Sequence, residues 1–234
     1  MTDDAQLGGL DPFELLDREA ARLEDYLSRL GDREWSQPSR CPGWSIRDVL
    51  AHLTATEDYH QACLDGTVQA YMGQIAAKGA TDLTAANALG IAELSDLGPQ
   101  QLMARWVTAD AEARRRFRQR GEGLVDTSVG DYPNRWQAFH VASELATHAD
   151  DIHVPVTAAE RAERCEWRTR VSRFALAETK PDLTVTAEDG RTHVAGQGID
   201  VTVDGDEFVE AVAGRLDETS SLEPAARAVL SATP

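Results

Sequence analysis

Glu144 and His148 stand four residues apart in Ser143-Glu144-Leu145-Ala146-Thr147-His148. That spacing puts a carboxylate and an imidazole on one face of one helix. A second imidazole, His52, comes from the separate segment Cys41-Pro42-Gly43-Trp44-Ser45-Ile46-Arg47-Asp48-Val49-Leu50-Ala51-His52. Two His and one carboxylate from neighbouring helices make an open three-ligand set, the kind that holds catalytic zinc with a position left for substrate or water. A cation so held stabilises the thiolate of an incoming thiol, which suits addition to an activated double bond or displacement of a leaving group. Asp151, three residues past His148, is placed to hold that ring's second nitrogen. Taken singly, His52 reads as an ordinary helical histidine, and Glu144/His148 as an intrahelical pair worth about 0.2–0.5 kcal/mol. Their combination is what points to a metal.

The elements that must position these groups are legible from periodicity. Residues 11–30 read as a helix on Leu15, Leu16, Ala20, Leu23, Tyr26, Leu27 and Leu30, with Gly31 as its stop. The helix carrying His52 begins at Ser45, where Ser45 and Asp48 match a capping box, and Val49, Leu50 and Leu53 form its apolar face. Residues 66–98 read as one or two short helices. Pro99 opens a longer one to about Gln119 on Leu102, Trp106, Ala109, Ala113 and Phe117, and Gly121, Gly123 and Gly130 mark a loop. A helix from Pro133 or Asn134 to about His153 carries Glu144 and His148 and is broken at Val154-Pro155. Four substantial helices with inward polar residues imply an antiparallel bundle over residues 1–156. From 157 to 234 the pattern changes to α+β. A charged helix over 160–180 precedes strand-like runs at 183–187, 192–195 and 199–203, then helices at 206–216 and 224–230.

The Cys41-Pro42-Gly43-Trp44 loop, the Ser-capped helix and His52 closely resemble the N-terminal signature of the mycothiol-dependent maleylpyruvate isomerase family. In that family the remaining ligands come from an E-x-x-x-H followed by Asp, matched here by Glu144, His148 and Asp151. The resemblance implies a DinB-like metal-binding four-helix bundle followed by a smaller sterol-carrier-like α+β domain, which the stretch from Val203 to Arg215 resembles in outline. It further implies mycothiol as the thiol. One departure stands out. Family members often carry an Arg shortly before the metal Glu, whereas Val141 and Ser143 occupy that stretch here and His140 stands a turn earlier.

Other chemistry-bearing residues receive plainer roles. Trp44 reads as a packing anchor and Cys41 as a small buried apolar residue. His60 and His140 read as outer partners or solvated groups. The run Arg114-Arg115-Arg116-Phe117-Arg118-Gln119-Arg120 is the cation-rich end of a helix. Arg215, in Ala213-Gly214-Arg215, is the carboxy-terminal candidate for an acidic substrate, because a guanidinium fork suits carboxylates, although the same tripeptide could end a helix.

The bulk numbers exclude some classes. A formal net charge of −17 over 234 residues argues against nucleic acid and anionic membranes. The Thr2-Asp3-Asp4 start and the absence of an apolar run of about 18 residues lead us to expect no secretory leader and no span. Three cysteines without C-x-x-C fit a reducing compartment, so a cytoplasmic protein is expected. The reading is thus a zinc (or other divalent metal) enzyme held by His52, Glu144 and His148, with Arg215 beside the substrate. It would activate a low-molecular-weight thiol, mycothiol by resemblance, for isomerisation or S-transfer on a small electrophile, as a monomer or homodimer. A zinc hydrolase using water, and a ligand-binding bundle without turnover, are the alternatives.

Overall fold

A computed structural model of the chain describes residues 4–216 and 218–232. They form a mixed helical protein with two small antiparallel sheets, divided into two compact units. Asp11–Val154 make the helical unit, and residues 4–10 group with residues 155–232 in the other. Among the described residues, no helix is long and apolar enough to cross a membrane.

In the helical unit, α1 (Pro12–Leu27) starts on Asp11, whose side chain accepts from the Phe13 N–H, with Pro12 pre-set for the first turn. It stops at Leu27, short of the expected Leu30. The chain tightens there into three-residue turns, Arg29 N–H to Tyr26 O and Leu30 N–H to Leu27 O, while Ser28 Oγ donates to Asp25 O. The next helices are α2 (Ile46–Asp65), α3 (Val68–Ala77), α4 (Leu83–Glu93) and α5 (Pro99–Arg120). The expected loop after α5 is instead a hairpin, β1 (Leu124–Thr127) with β2 (Gly130–Pro133). Its strands are four residues each and too short to show alternation, so cross-strand pairing rather than local pattern makes them. Finally α6 (Asn134–Asp151) ends in a Schellman motif, with Val154 N–H to Ala149 O (2.9 Å), His153 N–H to Asp150 O (3.1 Å) and His153 left-handed at φ 61°.

The helices α1, α2, α5 and α6 share a core of Leu16, Leu23, Leu50, Leu102, Trp106, Phe117, Phe139 and Leu145, each fully buried and contributed from one apolar face. Their directions correct the simple antiparallel expectation. Tyr26 Oη donates to Ile152 O at the far ends of α1 and α6, and Arg135 lies over the Phe13 ring at their starts, so this pair runs parallel. Gln61 to Ala109 O, Arg116 to Asp65 and Arg120 to Leu64 O make α2 and α5 parallel as well. Arg118, at the end of α5, meets Phe13 O at the start of α1, so the two pairs oppose each other. The chain can do this because α3, α4 and their loops form a crossover. A 20-residue α2 is about 30 Å long, and two helices of 10 and 11 residues can retrace that distance. At the crossing of α4 on α2 a Cβ on Gly90 would lie 2.7 Å from Ala55 Cβ, so only glycine permits the approach. Arg47, near the start of α2, donates to Leu94 O, Ser95 O and Leu97 O and ties down the end of this crossover.

The second unit holds α7 (Ala158–Thr179), capped by Thr157 and Glu160, and a meander of β3 (Thr184–Glu188), β4 (Arg191–Gly196) and β5 (Ile199–Val203). Then come α8 (Gly205–Val212) and α9 (Pro224–Leu230), around a core of Leu176, Val194, Val203, Phe208 and Leu230. The α8 helix is shorter than expected. Gly214, left-handed at φ 67°, lets Arg215 N–H reach Glu210 O (2.8 Å) and closes the helix.

Ser45 starts the helix that carries His52. Its Oγ accepts from Asp48 N–H (3.2 Å) while its own N–H donates to Asp48 Oδ2 (2.9 Å). We expect Ser45→Ala to lower the unfolding free energy by about 1 kcal/mol in urea titration, and Ser45→Thr to recover most of it. Equal stability of the Ala variant would show that the cap is idle.

Candidate metal centre

His52 lies two turns into α2, and Glu144 and His148 lie on the last turns of α6; the opposed directions of these helices bring them together. His52 Nε2 is 3.2 Å from Glu144 Oε1, and the His52 and His148 rings meet edge-on at 4.8 Å between centroids. One donor atom from each of the three residues falls within 4.8 Å of the others. Ligands about 2.0–2.2 Å from a tetrahedral ion sit roughly 3.3–3.6 Å apart; the His52–Glu144 pair is near that spacing, and the N,N,O donor set is one that could hold a divalent metal. Asp151, fully buried, has Oδ2 at 3.0 Å from His148 Nδ1. A proton donated from Nδ1 to that carboxylate leaves Nε2 with its lone pair for a metal. Both imidazoles are buried, while the Glu144 side chain keeps 29% of its surface and marks the accessible side of the set.

The charges agree with this geometry. Burial would lift Glu144, but the hydrogen bond from His52 and the charges of His52, His60 and His148 outweigh it and hold the carboxyl at about 2. Burial, joined by the nearby His52, draws His148 below the ordinary value against the pull of Asp151 and Glu144. An ionised carboxylate and a neutral imidazole are the forms that ligate a cation.

The sequence signature of the mycothiol maleylpyruvate isomerase N-terminal domain matches residues 16–153, more than half of the chain, from within α1 to the end of α6. The chain belongs to this family. Solved structures similar to it include the crystal structure of the mycothiol-dependent maleylpyruvate isomerase, with a TM-score of 0.62 and 19% identity, covering 88% of this chain and 89% of that one. A mutant of that isomerase gives a TM-score of 0.59 at 20% identity, with 88% of each chain covered. At such identities the likeness is one of fold. No curated protein sequence matches the chain.

Around the family's helical core the other candidates take definite places. Trp44 is half-buried, with its ring 5.2 Å from that of His52, so the anchor also walls the site. Cys41 is buried but not merely apolar, since its Sγ donates to Asp151 Oδ2 at 3.1 Å. His140 shares the face of Glu144 and His148 and is 3.0 Å from Tyr132 Oη. The arginine run is taken up within the unit, Arg114 and Arg118 by Asp17, Arg115 by Glu112 and Arg116 by Asp65. Arg215 belongs to the other unit, just beyond α8, where its guanidinium donates to Ala213 O.

One set of polar residues was not singled out from the sequence. Glu57 and Asp110 are buried with His60, whose Nδ1 is 3.3 Å from Glu57 Oε2, and Asp110 accepts from Arg114 Nε at 2.7 Å. The signal was present. Asp110 falls between Trp106 and Ala113 on an apolar face, where a carboxylate demands a partner. Burial, reinforced by Glu57, pushes Asp110 up to about 7 against Arg114 and His60. Burial opposes protonation of His60, but Glu57, Glu144 and Asp110 outweigh it and raise its pKa.

Both shifts act in one direction. Between its ordinary value of 3.8 and about 7, Asp110 keeps in the folded state a proton that the unfolded chain has lost, so stability falls as pH rises through that window. The stabilisation from protonated His60 is complete below 6.5 and is lost as pH rises through its raised value. The depressed His148 acts oppositely, but only below 6.5. We therefore expect the melting temperature of the metal-free protein to fall as pH rises from about 6.5 through about 7, and the slope to be shallower in Asp110→Asn. Parallel profiles for the two proteins would remove Asp110 from this role.

Proposed function

We propose that this chain is a divalent-metal enzyme, with zinc the best-suited ion, that uses mycothiol as cofactor or cosubstrate for isomerisation or S-transfer on a small electrophile. The observation that carries the reading is the convergence of His52, Glu144 and His148 with Asp151 behind them. When bound, the metal would supply Lewis acidity that favours the thiolate form of a thiol. The protein's own part is to present two neutral nitrogens and one carboxylate, to fix the His148 tautomer through Asp151, and to exclude water by burying both rings. Trp44 and the partly exposed Glu144 border the side from which reactants would enter.

In isomerisation the thiolate adds to an activated alkene, the former double bond rotates, and the thiolate departs with its electron pair. If the carbon–sulfur bond persists, the outcome is S-transfer. Family membership and the fold shared with a mycothiol-dependent maleylpyruvate isomerase support the thiol and make maleylpyruvate the first electrophile to assay. We read the helical unit as DinB-like and the α+β unit as sterol-carrier-like, with Arg215 in the latter as our candidate for holding a substrate carboxylate. The setting we infer is cytoplasmic.

The protein's own thiols are poor substitutes for an added one. Cys63 is buried and its thiol is pushed up to about 11 by that burial. Burial also raises Cys165, which belongs to the other unit. Activity should therefore depend on added mycothiol. Turnover that is equally fast without any thiol would favour the zinc-hydrolase alternative.

Mutation tests the ligands. His52→Ala should lose most metal, measured by elemental analysis after reconstitution, and all detectable turnover while keeping its circular dichroism, because it removes the sole ligand from α2. Asp151→Ala should be milder, at roughly 10–100-fold in metal affinity. Wild-type metal content in His52→Ala would refute the assignment.

A further inference from the structure

The loop before α2 reaches both histidines of the metal set. Trp44 covers His52, and Cys41 meets the carboxylate that supports His148. Asp151 Oδ2 is the shared point, at 3.0 Å from His148 Nδ1 and 3.1 Å from Cys41 Sγ, with Sγ itself 3.9 Å from Nδ1. We propose that Cys41 is a positioning residue, the outer member of a hydrogen-bonded chain Cys41–Asp151–His148 that sets the orientation and tautomer of the metal-ligating ring. The proposal rests on the metal reading above.

Asp151 has no exposed surface, and a buried carboxylate must be satisfied by donors. A second donor on the oxygen that meets the imidazole, arriving from another element, restrains rotation of the carboxylate about its Cβ–Cγ bond. The backbone supports the same register. Arg40 N–H donates to Asp151 O (2.9 Å), so the residue next to Cys41 is already fastened to the end of α6. Ser39 Oγ accepts from Cys41 N–H (3.1 Å) and donates to Trp44 O (2.9 Å), Trp44 N–H returns to Cys41 O (3.0 Å), and Gly43 takes the left-handed position the turn needs, φ 80°. The loop is therefore closed on itself and aimed at α6.

Sulfur suits this place. A thiol is a weak donor, so it steadies the carboxylate without drawing off the acceptor strength that His148 uses. An alternative is that Cys41, His148 and Asp151 form a metal site of their own, since their donor atoms are close enough. The two contacts to Oδ2 have hydrogen-bond lengths, and a cation there would take His148 Nδ1 away from Asp151. The geometry favours the positioning role.

The test compares Cys41→Ser, which keeps a donor, with Cys41→Val, which keeps apolar packing. Two readouts are used: zinc affinity by chelator competition, and the His148 Nδ1–H signal of the metal-free protein by nitrogen-15 histidine NMR. We expect Ser to stay within about threefold of the wild-type affinity and to keep the Nδ1–H signal. Val should bind about tenfold more weakly, the low end for an outer partner, with a shifted or exchange-broadened signal. If Val does not fold, Cys41→Ala replaces it with the same expectation. Wild-type behaviour of Val or Ala in both readouts, or a Ser variant weaker than Val, would make Cys41 a packing residue and overturn the proposal. A thiolate-to-cobalt charge-transfer band in the cobalt-substituted wild type would overturn it in favour of direct ligation. Failure of the wild type to bind zinc would instead sink the metal reading, and the NMR comparison alone would then decide whether Cys41 holds the Asp151–His148 pair.

Discussion

A carboxylate and two imidazoles cannot sit in the contact between α2 and α6 unless each finds a partner there. That constraint organises the helical unit. Glu144 takes His52, His148 takes Asp151, and Asp151 takes Cys41 from the loop that leads into α2. The opposed directions of α2 and α6 follow from the same need, because only then does the loop at the start of one helix meet the last residue of the other. The left-handed His153 just beyond Asp151 is part of this arrangement. Non-glycine residues adopt that conformation at a cost of about 1 kcal/mol, and here it closes α6 about one turn after His148.

The site is not the only polar material in the interior. Glu57, His60, Asp110 and Arg114 form a second group where α2 meets α5, and their charges reach Glu144 through His60. Buried charge clusters of this kind contribute little net stability against apolar alternatives. Their value here is electrostatic: charge on His60 favours the ionised form of Glu144.

Much of this could be read from the residues. His52, Glu144 and His148 announced themselves because helical spacing and ligand chemistry agree, and the Ser45–Asp48 cap located the start of their helix. Asp151 followed from its three-residue offset. What local pattern could not convey was direction. Nothing in the period of Leu102, Trp106 and Phe117 says whether α5 runs with α2 or against it, and the answer depends on how far α3 and α4 carry the chain. Cys41 was similarly opaque, since a small buried residue looks the same whether or not a carboxylate lies behind it. The β1–β2 hairpin was missed because four-residue strands carry too little alternation. Glu57 and Asp110 were visible as charges on apolar faces.

Residues 4–10 belong with residues 155–232, and within that unit Arg170 donates from Nε to Gln6 O (2.7 Å) and from its fork to Gly8 O. The helical unit is therefore a closed excursion, leaving its companion after residue 10 and returning at residue 155. Two covalent strands join the units instead of one. The helical unit can be excised as a piece only by opening the chain at both crossings.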